Sequence, residues 1–123
     1  REGVEGGLLG VAFTPNGNGI SIVGRDRRWH VVARNTLKPA HDIPGHAHPI
    51  YAVAFNATGS RAVTIDRSGK LFLWNASNGR IQFHQQLPLS HTTSLAYVAD
   101  GSEVFVAGAD KRVIRVVIPT AVR

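Results

Sequence analysis

The sequence predicts an all-β fold of about three four-stranded antiparallel units, on three observations. Apolar positions recur at a fixed step of 42 residues: Phe13, Phe55 and Tyr97; Val11, Val53 and Leu95; Ala12, Ala54 and Ala96. Gly17, Gly59 and Gly101 keep the same step, as do Asp26, Ser68 and Asp110, and Val32, Trp74 and Val116. Between these landmarks lie short runs of alternating apolar residues bounded by turn signals, with no helical period. Self-similarity of this kind implies units that bury their apolar faces on their neighbours. The units are expected at about residues 3–44, 45–86 and 87–123.

The elements follow in the same order in each unit. First strands are predicted around Leu9–Phe13, Ile50–Phe55 and Ser94–Val98. In them Val11/Phe13, Val53/Phe55 and Leu95/Tyr97 share one face, and small alanines take the other. Apolar residues on both faces imply burial on both sides. Tight turns come next at Pro15-Asn16-Gly17, Ala57-Thr58-Gly59 and Ala99-Asp100-Gly101, where glycine supplies a positive φ. Second strands are predicted at Ile20–Val23, Ala62–Ile65 and Val104–Ala107, and third strands at Trp29–Val32, Leu71–Trp74 and Val113–Val116. Weaker, more polar fourth strands around Lys38–Ile43 and Ile81–Gln85 suit a solvated outer edge. Sheets of this kind stack radially in β-propellers.

Composition narrows the function classes. With 43% apolar and 18% charged residues, the chain is a folded globular protein and not a disordered tail. No run approaches the roughly 20 apolar residues of a membrane helix, and residues 1–7 carry no signal-peptide pattern. Compartment is therefore left open, and no membrane insertion is expected. The absence of cysteine excludes disulfides, thiolate catalysis and cysteine zinc sites. Fourteen Lys and Arg against eight Asp and Glu give a net charge of +6, which favours acidic partners.

Gly45-His46, then Ile50, Val53-Ala54-Phe55, Gly59, Leu73-Trp74-Asn75 and Gly79 resemble the WD-repeat (tryptophan–aspartate repeat) β-propeller family. Asn75 replaces the characteristic Asp after Trp74. The outer units depart further, with Val4 and Pro88 at the His place and Val32 and Val116 at the Trp place. The resemblance implies a non-enzymatic scaffold whose blade loops contact protein partners. It also implies a buried chain of hydrogen bonds through a His, a Ser or Thr, an Asp and a Trp. His46, Thr64 and Trp74 fit three of these places, while Ser68 occupies the place of the Asp. A shortened network His46–Thr64–Trp74, reached by Ser68, is expected, and no unit is expected to hold all four.

Other constellations read as structural. Asp26 and Asp110 precede basic pairs and suit turn carboxylates, with no base or nucleophile recurring beside them. His41, His46 and His48 lack the further ligands a metal needs, and His41 and His48 are expected in loops facing solvent. Ser68, His46 and Asp66 are the residue types of a hydrolytic triad but lack a Gly-x-Ser-x-Gly elbow. The glycine-rich start precedes a strand and not a helix, so no phosphate loop is expected. No catalytic residue, cofactor or metal is therefore assigned.

Arg25, Arg27, Arg28, Arg67, Lys70, Lys111 and Arg112 all fall in or beside the turns between second and third strands. The repeat sets those turns side by side on one rim, which makes a candidate binding surface for an acidic protein partner or another polyanion. Few aromatic residues lie among the cations, which argues against single-stranded nucleic acid. Three units fall short of the roughly four to eight blades that close a ring. A fragment of a larger propeller is expected, the alternative being closure by a second copy. A propeller enzyme or cofactor-binding domain with its active site in other blades is the alternative function.

Overall fold

In the computed structural model, residues 7–89, 91–98, 100–109 and 111–122 are described. Val4, Ala99 and Asp110 lie outside them, as does nearly all of the glycine-rich start. Eleven strands form three antiparallel sheets, followed by a short 3-10 helix at Thr120–Val122. Blade 1 runs β1 (Leu8–Phe13), β2 (Gly19–Gly24), β3 (Arg28–Ala33) and β4 (Pro39–Pro44). Blade 2 runs β5 (Ile50–Phe55), β6 (Arg61–Asp66), β7 (Lys70–Asn75) and β8 (Ile81–Gln86). Blade 3 has three strands among the described residues: β9 (Thr92–Tyr97), β10 (Glu103–Gly108) and β11 (Val113–Val117). Within each sheet every strand pairs with its neighbour in sequence, so the connections inside a blade are hairpins, while β4–β5 and β8–β9 lead from one sheet to the next.

The 42-residue step is a step in geometry as well as in sequence. The amides of Thr14, Asn56 and Val98 donate to the carbonyls of Gly19, Arg61 and Glu103 at 3.0, 3.1 and 3.0 Å. Inside those turns Gly17, Gly59 and Gly101 hold φ values of +75°, +77° and +79°, a region that disfavours side chains with a β-carbon. The amides of Arg34, Ala76 and Ile118 likewise donate to Asn18, Ser60 and Ser102. Arg27, Gly69 and Lys111 share a second left-handed position, at +67°, +90° and +67°.

Two apolar clusters join the blades. Between blades 1 and 2, Val23 and Trp29 meet Ile50, Val53, Phe72 and Trp74, with Phe55 packed alongside. The Trp29 ring lies 5.6 Å from that of Trp74 and 6.2 Å from that of Phe55. Between blades 2 and 3, Val63, Ile65, Leu71 and Leu73 meet Val104 and Val106. Each such aliphatic side chain contributes about 1.5–3 kcal/mol on full burial, so these seams dominate the cohesion of the stack. Burial on both faces therefore holds for the middle blade. It fails for Val11 and Phe13, which are 70% and 64% exposed because no described sheet covers that face of β1. Phe105, Val113 and Val117 are exposed on the opposite end of the stack.

The two seams differ in their main-chain bonds. The His91 amide donates to the Arg67 carbonyl at 3.1 Å, and Thr92 Oγ1 donates to the Asp66 carbonyl at 2.8 Å, linking blade 3 to blade 2. One repeat earlier stand Pro49, which has no N–H, and Ile50, which has no hydroxyl. The seam between blades 1 and 2 lacks both of these bonds.

Candidate functional site

The middle blade is built around a buried hydrogen-bonded chain. Trp74 Nε1–H donates to Thr64 Oγ1 at 2.8 Å, from β7 across to β6. Thr64 Oγ1 lies 2.5 Å from His46 Nε2, and His46 Nδ1 lies 2.9 Å from Asp66 Oδ2. The second carboxylate oxygen accepts from the Ser68 amide, the Ser68 hydroxyl and the Lys70 amide at 2.9, 2.6 and 3.1 Å. Burial alone pushes the Asp66 carboxyl up, but hydrogen bonds from His46, Ser68 and Lys70 outweigh it and hold it below its ordinary value. The ionised Asp66 accepts from His46 Nδ1–H, and in that neutral tautomer Nε2 accepts from the Thr64 hydroxyl. Donors thus run Trp74 to Thr64 to His46, and His46 in turn donates to Asp66.

The expected shortened network is corrected here: the middle blade holds all four partners, and Asp66 is the carboxylate. Ser68 joins only through Asp66. The repeat step pointed from Asp26 to Ser68, whereas the carboxylate that meets His46 ends β6 two residues earlier. Thr64, His46 and Asp66 are ordered as in a hydrolytic triad, yet all three are buried and Thr64 Oγ1 already accepts from Trp74. No substrate can reach that hydroxyl, so the chain ties β6, β7 and the segment before β5 together.

Blade 1 contains a second buried tryptophan–hydroxyl bond, Trp29 Nε1–H to Ser21 Oγ at 2.5 Å. Sequence reading missed it because Trp29 does not stand at the repeat position of Trp74. Asp26 there accepts from the Arg28 amide at 3.1 Å and pairs with His30 Nε2 at 2.5 Å. The histidines otherwise scatter: His48, His84 and His91 are exposed, and His41 lies in strand β4 and not in a loop. Among the described residues no group of three or more metal-ligating side chains is assembled.

The cations occupy the three turns that carry the second left-handed position. Arg25, Arg27, Arg67, Lys111 and Arg112 are exposed, while Arg28 and Lys70 are half-buried. Lys70 Nζ stands 5.8 Å over the Phe72 ring, and the Arg112 guanidinium donates to the Pro88 carbonyl. Main-chain bonds fix this edge: the amides of Arg25, Arg67 and Ala109 donate to Gly7, Pro49 and His91 at 2.9, 2.9 and 3.1 Å. His91 also bonds the Arg67 carbonyl, which sets the second turn against the third.

Residues 37–75, from the end of the β3–β4 turn through β7, match the family model of the WD domain, G-beta repeat. That span holds all four members of the buried chain. The chain carries a WD repeat. Apoptotic protease-activating factor 1 from Homo sapiens is 26% identical over 113 residues, which is 85% of this chain and 9% of that protein. The Rattus norvegicus protein of the same name is 26% identical over 86 residues, 70% of this chain and 7% of its own length. The chain therefore spans less than a tenth of these relatives. No helix among the described residues is long and apolar enough to cross a membrane.

Proposed function

We propose that this chain is a non-enzymatic WD-repeat scaffold that binds an acidic segment of a protein partner along the basic rim. One observation carries the reading. Arg27 and Lys111 stand in left-handed backbone at the position where blade 2 has Gly69. A residue with a β-carbon there costs about 1–2 kcal/mol, so two cations are held at turn tips against the backbone's preference. Strain retained at an exposed turn argues for a role in function. Among the described residues the carboxylates of these turns are used internally, Asp66 by His46 and Asp26 by His30, and seven cations stand in or beside the turns. The WD repeat supports the scaffold class.

The test is fluorescence anisotropy with a labelled oligo-glutamate peptide across ionic strength. Binding is expected to weaken steeply with salt, and Arg67→Glu with Lys111→Glu to weaken it about tenfold at low salt. Binding that ignores salt and charge reversal, or no binding at all, overturns the reading.

A further inference from the structure

We propose that the cleft between blades 1 and 2, at the rim away from the basic turns, binds an uncharged apolar side chain carried on an extended peptide segment. The cleft measures about 400 Å³ and opens between the β1–β2 and β5–β6 turns. Its depth is apolar, formed by Trp29, Val31, Phe55 and Ala76. Its lip is polar, with Thr14, Asn16, Asn18 and Thr58. That is the size and division of surface that small recognition pockets show.

Repeat geometry explains why the cleft exists. The positions of Gly19, Phe55 and Ala76 carry Arg61, Tyr97 and Ile118 one repeat later. There Arg61 Nε and the Tyr97 hydroxyl are both buried, and Ile118 is buried too. Larger side chains thus occupy in the second seam what the first seam leaves open. Gly19 lines the cleft beside the Thr14 and Val31 side chains, and the opening continues from it along Phe55 and Ala76. An apolar group seated there extends the cluster of Trp29, Val53 and Trp74 that already joins the two blades.

Charge selects the ligand. None of the lining residues is ionisable, on a chain of net charge +6. A charged side chain would lose its water without gaining a partner, whereas an apolar one would not. At the lip, Asn16 Oδ1 accepts from Thr14 Oγ1 and from the Asn18 amide at 2.7 and 2.9 Å. This holds the Asn16 side chain in place and leaves its Nδ2 amide to donate to a peptide carbonyl. An apolar depth beneath an amide-binding lip matches a residue within a peptide chain. The site is independent of the basic rim.

The test titrates the isotope-labelled chain with N-acetyl-leucinamide and N-acetyl-phenylalaninamide, with the lysine and glutamate analogues as charged probes. Saturable amide and indole shifts are expected at Asn16, Asn18, Thr58 and Trp29, at least tenfold weaker for the charged probes. Ala76→Ile, which copies the second seam, is expected to abolish them while the chain keeps its melting temperature. Gly19→Arg is the second filling variant, and either one suffices should the other not fold. Equal response to charged probes, shifts that persist in the filled variants, or no saturable shift at all would overturn the proposal.

Discussion

A β-carbon added to Gly45 would stand 2.3 Å from Cη2 of Trp74, so the indole occupies the space that any other residue would need. His46, the next residue, reaches the same indole through Thr64. The Gly-His pair is thus one device, with the glycine admitting the ring and the histidine joining its hydrogen bonds. Gly45→Ala is expected to cost about 1–3 kcal/mol, since overpacking must shift Trp74. Urea denaturation checks this.

Thr64 is donor and acceptor at once, so Thr64→Val leaves both the Trp74 N–H and His46 Nε2 without their partner. Each orphaned group costs about 1–3 kcal/mol. Trp74→Phe added to Thr64→Val removes one orphan, so the double variant should lose less than the two single losses combined. A double-mutant cycle by chemical denaturation measures that coupling.

Asp66 makes stability sensitive to acid. Its folded carboxyl titrates below the unfolded value of about 3.9. Its contribution is therefore complete above about pH 4 and is lost as pH falls through the lowered folded value. Asp66→Asn should destabilise the chain at pH 7, with the gap to the parent narrowing toward pH 3. Denaturation curves across that range decide it, and a constant gap would refute the assignment.

Tyr97 has a buried hydroxyl without a hydrogen-bond partner among the described residues. Burial pushes its phenol up, against a smaller opposing pull from Arg61. Phe13 and Phe55 hold the same repeat position, so Tyr97→Phe should fit and raise stability by about 1 kcal/mol. The parent should also lose stability above about pH 10, where the unfolded phenol ionises first. The Phe variant should lack that component, as thermal melts at high pH will show.

Lys111→Gly removes backbone strain and charge together, with stability reporting the first and peptide binding the second. Relief of the left-handed position is expected to add up to about 1 kcal/mol of stability. The same change should weaken binding of the oligo-glutamate peptide. A gain in stability with unchanged binding would detach Lys111 from the rim's proposed role.

The strand order and the turns were legible because alternation and repeated glycines are local signals. Phe13, Phe55 and Tyr97 occupy equivalent places, and the hairpin bonds beside them recur at the same step. What escaped depended on distance in space. Asp66 was hidden because the repeat favoured Ser68, and only folding brings the end of β6 against His46. The Trp29–Ser21 bond links two strands at positions with no counterpart in blade 2. The exposure of Val11 and Phe13 depends on what covers their sheet, which their own alternation cannot report. The left-handed Arg27 and Lys111 carry no glycine to announce them.

Pro49 has a consequence for how the stack yields. Where His91 clasps blade 3 to blade 2 by its amide, proline leaves the equivalent place of the earlier junction without that hydrogen bond. A wedge driven into the first junction has packed side chains to push aside, while at the second it must also break the hydrogen bonds of the His91 amide and the Thr92 hydroxyl. Blades 2 and 3 should move as one plate, with blade 1 as the leaf that swings.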